Sequence, residues 1–442
     1  MNRRQSVREA TRLLGIVCLL PLVLAACAPY APQPLDACKD DCQTYSKTRH
    51  QVTVSTRLLS DSEAERLYGV DLASVGLQAV WLQIDNRNDH SHWLLVSALD
   101  PNYFAPGEAA ALFEFWLSEG DELRANQRFS DLAIPLKSPA GTVTEGYVLA
   151  PRHEGGRYLA VMLTGNQHVV EFGFAVTLPD GEFDFEQLDP GQIYPEVARP
   201  DLDLDQFRAR LRSMPCCALD EEGKREGDPL NLVLVGNLDE ILTSLSRGGW
   251  SFTHRIDLDS IERMVGAAIS GAPYPVAPVS PLYLFDRPQD LALQRARNNI
   301  LQRNHLRLWL APFRFDGNSV WLGQISRDIS IKPTLLSPTF TTHVIDPNVD
   351  EARESLLQSL LVKGVVQRFA FVAGPPVAAP DTPRTNLTED PYFTDGLRLV
   401  MQLSGERTIA PEDVVFVEWQ NSADPIGAAH RESTTLPRGS GR

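Results

Sequence analysis

The chain has 442 residues, of which 43% are hydrophobic and 22% charged, and its formal net charge is -16. This acidic balance excludes a nucleic-acid-binding protein of the usual basic kind, so we expect no nucleic acid among its partners. The composition is that of a globular protein, neither disordered nor a bundle of membrane spans. At roughly 150 residues per domain, the length predicts two or three domains.

The first 26 residues predict a lipoprotein signal peptide. Four arginines lie among the first 12 residues, and residues 13–24 form an apolar stretch that is shorter than the about 20 residues needed to span a bilayer. The stretch ends in Leu24-Ala25-Ala26-Cys27, which resembles the lipobox of bacterial lipoproteins. The resemblance implies cleavage before Cys27 and attachment of lipid, including palmitate-type acyl chains, at that residue. An ordinary secretory signal with a chance cysteine is the alternative.

The residue after the lipobox bears on localisation. By the same resemblance, Asp at this position would indicate retention in the inner membrane, whereas this chain has Ala28. We therefore expect a lipid anchor in the outer membrane, with the protein facing the periplasm. Cleavage leaves 37 basic and 56 acidic side chains, a net charge of -19. Because an acidic body is repelled by anionic lipid, we expect the lipid anchor alone to hold it at the membrane.

The cysteines fit an oxidising compartment such as the periplasm. With Cys18 removed and Cys27 acylated, an even set remains: Cys38, Cys42, Cys216 and Cys217. A bridge between adjacent cysteines is strained, so we expect at least one disulfide from the first pair to the second. Four thiolates around zinc are the alternative, although the spacing differs from CxxC.

The fold class is predicted to be α+β. Short β-rich runs over most of residues 51–200, interrupted by helical patterns at 108–117 and 121–129, predict a β-sandwich-like domain with a helical insertion. A mixed α+β domain follows after a linker. The predicted division is 1–26 signal peptide, 27–50 lipidated tether, 51–200 sandwich-like domain, 201–227 helix and linker, 228–420 α+β domain and 421–442 flexible tail.

Three helix starts are predicted from capping residues. Ser60 with Glu63 begins a helix that ends near Gly69, and Asn237 begins one that ends at Gly248. The acidic run 201–205 resembles the start of a calcium-binding loop, but the sequence has Gln206 where such a loop requires glycine. We interpret the run as another helix start.

Six separated motifs in the C-terminal half carry a family resemblance. They are Asp228-Pro-Leu-Asn-Leu-Val-Leu-Val-Gly236, Pro278 to Phe285, Asn304-His-Leu-Arg-Leu-Trp309, Trp321-Leu-Gly323, Thr342-His343-x-Ile-Asp346 and Phe393-Thr-Asp-Gly396. Together they resemble the LssY C-terminal domain family over roughly residues 228–405. Members of that family place this domain beside membrane modules of the phosphatidate-phosphatase type, and also in lipoproteins. The chain lacks the phosphatase signature, so the resemblance does not imply that reaction.

One predicted hairpin carries candidate binding residues. Residues 305–310 alternate with period two, so His305, Arg307 and Trp309 share one face of a strand. If Asp316-Gly317 is a two-residue turn, His305 lies opposite Asp328, Arg307 opposite Ser326 and Trp309 opposite Gln324.

This polar face predicts a site for a small anionic or sugar-like ligand. Arg307 would bind phosphate or carboxylate, Trp309 would stack on a ring, and Asp328 would orient the His305 imidazole. Residues of the next strand end, His343 foremost, extend the candidate set. A metal site of His305, Asp328, His343 and Asp346 is an alternative. A structural role, with polar pairs satisfied internally, is equally open, and full burial of Arg307 and Trp309 would favour it.

No motif indicates a defined reaction. The chain contains no GxSxG, HExxH, P-loop, SxxK or CxxCH sequence, and we expect no cofactor, no catalytic residue and no resident metal. The leading hypothesis is a non-catalytic envelope lipoprotein that binds a ligand or a membrane-protein partner. The alternative is a periplasmic hydrolase or metal-dependent phosphoesterase that uses the His305/Asp328 face.

Overall fold

The computed structural model describes residues 30–34, 43–153, 157–166, 168–177, 188–195, 198–253, 281–296, 303–333, 341–405 and 408–417. The predicted signal peptide, Cys27, Cys38, Cys42 and the tail 421–442 lie outside these residues. The fold is mixed α and β structure with mostly strand, and its sheets are open. No helix in the described ranges has both the length and the apolar content to cross a bilayer.

The chain divides into two compact units. Unit 1 comprises residues up to 152 together with 164–166, and unit 2 comprises 153–163 and the residues from 167 onward. Most of the residues of the strands between 157 and 176 group with unit 2.

Unit 1 contains an antiparallel sheet of four strands in the order β1-β2-β3-β6, and β4 pairs with β5. Its strands are β1 (Tyr45–Arg49), β2 (Val52–Leu58), β3 (Leu77–Asn86), β4 (His92–Leu94), β5 (Lys137–Ser138) and β6 (Thr142–Pro151). Its helices are α1 (Asp61–Tyr68), α2 (Val96–Leu99), α3 (Pro106–Ala111) and α4 (Glu119–Leu132), with 3-10 turns at Ala73–Val75 and Glu114–Trp116. Side chains from α1, α3 and α4 share one apolar core with one face of the sheet.

Helix α1 has the ends that the sequence predicts. The Ser60 side chain accepts from the Glu63 backbone N–H, and the Glu63 carboxylate accepts from the Ser60 N–H, so both halves of the capping box form. The helix ends at Gly69, which has the left-handed conformation at φ 75°. This conformation favours glycine because it has no side chain to clash.

Unit 2 is built on one large sheet with three smaller strand groups. Its strands are β7 (Arg157–Gly165), β8 (His168–Val176), β9 (Asp201–Leu202), β10 (Cys217–Leu219), β11 (Glu226–Pro229), β12 (Leu232–Val235), β13 (Ser251–Phe252), β14 (Tyr283–Leu284), β15 (Arg287–Pro288), β16 (Leu291–Ala296), β17 (Arg303–Phe315), β18 (Asn318–Pro333), β19 (Thr341–Ile345), β20 (Val366–Ala373), β21 (Arg384–Thr385), β22 (Pro391–Tyr392), β23 (Leu397–Leu403) and β24 (Val415–Phe416). Its helices are α5 (Pro190–Ile193), α6 (Leu204–Arg212), α7 (Leu238–Arg247) and α8 (Val349–Val362), with a 3-10 turn at Pro411–Asp413.

The large sheet runs β13-β16-β17-β18-β12-β23-β20-β24, with β19 on β18 and β9 on β17. Leu306, Leu308 and Leu310 of β17 face one apolar core, which also contains side chains of α7 and α8. Trp309 and Ala311 face a second core, which contains side chains of α6. Because protein covers both faces, the polar residues of β17 are enclosed rather than presented to solvent.

Helices α6 and α7 also begin where the sequence predicts. The Asp203 side chain accepts from the Gln206 N–H, and the Gln206 amide oxygen accepts from the Asp203 N–H. This confirms a helix start at the acidic run. Helix α7 begins after Asn237, whose backbone N–H donates to Glu240, and ends at Gly248.

Candidate functional site

The candidate site lies on the hairpin of β17 and β18, and its turn is the predicted one. Asp316 and Gly317 both have positive φ, at 53° and 73°, and Phe315 pairs with Asn318 across them. Farther from the turn the register changes. A β-bulge between Leu310 and Arg314 moves the pairing by two residues.

The bulge makes the predicted strand pairs wrong. His305 lies opposite Ser326, Arg307 opposite Gln324 and Trp309 opposite Leu322. Since side chains alternate with period two, a shift of two residues changes the partners but keeps every residue on its predicted face. The polar face therefore forms as expected, with different neighbours.

His305 and Asp328 meet despite this register. The His305 Nε2 atom lies 3.1 Å from the Asp328 Oδ2 atom, and both side chains are buried. Arg303 approaches the same carboxylate, with its Nε atom 3.6 Å from Oδ2, and donates from Nη1 to the Gln294 amide oxygen at 2.8 Å. Asp328 thus faces one imidazole and one guanidinium.

A further series of hydrogen bonds begins at Arg307. Its Nη1 atom donates to Gln324 Oε1 at 2.8 Å, and Gln324 Nε2 donates to Asp228 Oδ2 at 3.0 Å. The other Asp228 oxygen accepts from Asn386 Nδ2 at 2.8 Å. We call these residues the buried cluster: Asp228, Gln294, Arg303, His305, Arg307, Gln324, Ser326, Asp328 and Asn386. No member is more than 9% exposed.

Burial controls the acid–base properties of the cluster. It raises the pKa of Asp328 to about 7, although the Arg303 and Arg307 charges act in the opposite direction, and the negative charge of Asp228 adds to the increase. Burial also raises the pKa of Asp228 against the Asn386 hydrogen bond and the Arg307 charge. The pKa of each arginine is lowered by burial and supported by the carboxylates. Such shifts occur both in acid–base sites and in structural ion networks.

Trp309 does not form an exposed stacking surface. Its side chain is fully buried in the second apolar core, beside Leu322 and Ala311. Arg307 is 7% exposed. The burial of both residues is the feature that favours a structural role for this face.

The backbone register gives only partial information on the alternative metal set. His343 lies opposite Ile331 and Asp328 lies opposite Ile345, so these two residues are not directly paired. The Asp346 Oδ1 atom accepts from the Asn348 backbone N–H at 3.0 Å.

Cys216 and Cys217 form a disulfide bond with each other. This corrects the predicted cross-link to Cys38 or Cys42, because neither sulfur is left for a distant partner. The two sulfurs and a Glu226 carboxylate oxygen are the one group in the described residues with enough nearby donors for a metal ion. The metal ligand is a thiolate, and bonded sulfurs carry no thiolate, so this group does not suit zinc.

Sequence reasoning missed several members of the buried cluster. Arg303 has the same parity as His305 and Arg307, so extending the alternation by one pair would have found it. Asp228 and Asn386 are 158 positions apart and meet only through the fold, for which the sequence holds no local signal. The sequence also gave no signal for an apolar pocket in unit 1, whose lining includes Tyr68, Tyr103, Phe104, Phe129, Ile134 and Leu149.

Comparison with known proteins agrees with the motifs. No curated protein and no solved structure matches the chain. The region that matches a family model contains the entire buried cluster and covers less than half of the chain. Residues 211–397 match the family model described as LssY C-terminus, which is the family that the sequence motifs predicted.

Proposed function

We propose that the protein is a membrane-anchored envelope lipoprotein whose LssY-C-like domain acts by binding a partner rather than by catalysis. In this proposal the anchor is lipid on Cys27, in the outer membrane and facing the periplasm. In this proposal the chain also has a sandwich-like region that is followed by an α+β domain. The arginine-rich start, the short apolar stretch and the lipobox-like end support the anchor.

The proposal of a non-catalytic role is supported by the hydrogen bonds that the members of the buried cluster make with one another. Arg307, Gln324, Asp228 and Asn386 form one continuous chain of hydrogen bonds, and none is more than 9% exposed. A small ligand would have to separate these groups from one another, and each separation leaves a buried polar group unpaired. We therefore favour a macromolecular partner at the domain surface, namely an envelope membrane protein, over a small anionic or sugar-like ligand.

The anchor is tested by mass spectrometry of the mature protein from membranes. We expect an N-terminal peptide that begins at Cys27 and carries diacylglyceryl, and we expect Cys27→Ala to abolish it. Cys18→Ala is the matched control, since that residue lies in the part that is removed, and it should leave the mature peptide unchanged. A mature protein that begins at any other residue would contradict the anchor and the localisation together.

The binding mode is tested by thermal unfolding with inorganic phosphate or a monosaccharide. A ligand that binds only the folded protein raises its unfolding temperature. We expect no increase at millimolar concentrations, because the arginines are engaged internally. An increase that disappears in Arg307→Gln would show that the cluster binds a small ligand.

One observation favours an enzyme as the second candidate. The carboxyl of Asp328 has a pKa of about 7 and lies 3.1 Å from His305, which is an arrangement suited to proton transfer near neutral pH. The test is hydrolysis of p-nitrophenyl phosphate by the full chain with Zn²⁺, Mn²⁺ or Mg²⁺. We expect no turnover above that of His305→Gln. Turnover that the His305→Gln variant lacks would replace the binding proposal with a phosphoesterase.

A further inference from the structure

Unit 1 exposes two aromatic side chains next to each other. Phe115 is 98% exposed and Trp116 is 73% exposed, and Leu112 nearby is 39% exposed. We call Leu112, Phe115 and Trp116 the aromatic tip. Large apolar side chains grouped on a surface are characteristic of interaction sites.

The backbone of the tip is ordered by hydrogen bonds. It forms the 3-10 turn between α3 and α4, in which the Trp116 N–H donates to the Phe113 carbonyl at 2.9 Å. Ser118 then caps α4 by accepting from the Asp121 N–H. Phe113, between the exposed residues, is buried in the core of unit 1. The fold thus holds the aromatic side chains outward.

The N-terminal segment joins the same unit that carries the tip. Tyr30 is buried against Gly69, and the Arg124 guanidinium of α4 lies 5.6 Å from the centre of its ring. Cys27 is three residues before Tyr30, a reach of at most about 10 Å. A lipid on Cys27 would therefore hold unit 1, and with it the tip, at the membrane surface.

The chemistry of the tip fits a neutral lipid surface. Tryptophan and phenylalanine favour the boundary between lipid headgroups and acyl chains. The surrounding charges are acidic, with Glu114, Glu119 and Glu122 near the tip. Such a surface is repelled by anionic lipid.

We propose that the aromatic tip inserts into the headgroup region of a zwitterionic bilayer beside the lipid anchor. The tip then fixes which side of unit 1 faces the membrane. The proposal rests on the lipid anchor at Cys27, and it adds a second, non-covalent contact with the same membrane.

The test uses the lipidated full chain in vesicles of phosphatidylcholine that carries bromine on its acyl chains, which quenches tryptophan emission on contact. The chain has seven tryptophans, so the contribution of Trp116 is the difference between the wild type and Trp116→Phe. We expect this contribution to be quenched, and to be quenched less when anionic phosphatidylglycerol is added. Phe115→Ser should also reduce it, and its exposure means that the fold is unaffected. Trp93→Phe is the matched control, since Trp93 is 50% exposed in the same unit, and this change should leave the quenching as it is.

The outcomes separate the tip from the anchor. Protein that floats with the vesicles while Trp116 emission stays unquenched overturns the docking proposal and leaves the anchor in place. Protein that does not float, with no lipid on its N-terminal peptide, overturns both. Dimers of the mature chain in detergent that dissociate in Phe115→Ser would assign the tip to a second copy instead of the bilayer.

Discussion

Trp309 is buried and Trp116 is exposed. We therefore expect substitution of Trp309 to affect the stability of the fold and substitution of Trp116 to leave it nearly unchanged. Trp309 is fully buried between β17 and its neighbours, whereas Trp116 is 73% exposed. We expect Trp309→Ala to lower the free energy of unfolding by about 3–5 kcal/mol, because it leaves a cavity in the core. Trp116→Ala should change it by no more than about 0.5 kcal/mol. Urea denaturation measures both, and equal losses would contradict the assignment of Trp309 to the core.

Asp328 gives the protein a pH dependence whose sign is fixed by its burial. The folded-state pKa of about 7 exceeds the ordinary value of 3.8, so the folded state binds this proton more tightly than the unfolded state does. The resulting stabilisation is complete below pH 3.8 and is lost as the pH rises to about 7. Asp328→Asn keeps a neutral side chain at every pH.

We therefore expect Asp328→Asn to gain stability relative to the wild type as the pH rises from 4 to 7. The measurement is the unfolding free energy of both proteins, by urea denaturation, at several pH values in this window. A difference that stays constant across the window would show that the carboxyl titrates normally in the folded protein.

At the scale of the elements, the glycine that ends α1 has a left-handed backbone conformation and also packs against the N-terminal segment. Gly69 and Gly76 have nearly the same left-handed φ, at 75° and 73°, but only at Gly69 would a Cβ atom meet the tether, 2.8 Å from a Tyr30 ring carbon. Gly76 faces open space. The two positions form a matched pair, because substitution by alanine adds the same backbone strain at both.

We expect Gly76→Ala to cost about 1–2 kcal/mol from backbone strain alone, and Gly69→Ala to cost more. Only Gly69→Ala should speed amide hydrogen exchange in residues 30–34, since it displaces Tyr30. Equal exchange in the two variants would mean that this segment is not held by packing on Gly69.

The β17–β18 hairpin shows which features of an element are local. The alternation of residues 305–310 and the turn at Asp316-Gly317 are local properties, and the structure contains both. The bulge between Leu310 and Arg314 includes Pro312, which has no N–H for the strand ladder. Counting residues from the turn could not reveal the bulge, so the predicted pairs were wrong while the predicted faces were right.

At the scale of the whole molecule, the net charge leads to a test of the proposed lipid anchor. The net charge is -16, so the body gains no electrostatic attraction from anionic lipid. We expect washing of membranes with 1 M NaCl to leave the protein bound, while detergent releases it. Release by salt, measured by sedimentation and immunoblotting, would show an ionic attachment instead of a lipid anchor.

The sequence by itself determined the helix caps, the hairpin turn, the two faces of β17 and the LssY-C motifs. These depend on residues close together in the chain, where backbone geometry and period-two alternation decide the result. Only the tertiary structure decided that both faces of β17 are covered, that Asp228 and Asn386 join the polar face, and that Cys216 bonds to Cys217. Burial and long-range contact depend on how distant segments pack. The same His305 and Arg307 therefore predicted an open binding face from the sequence and became an enclosed cluster in the fold.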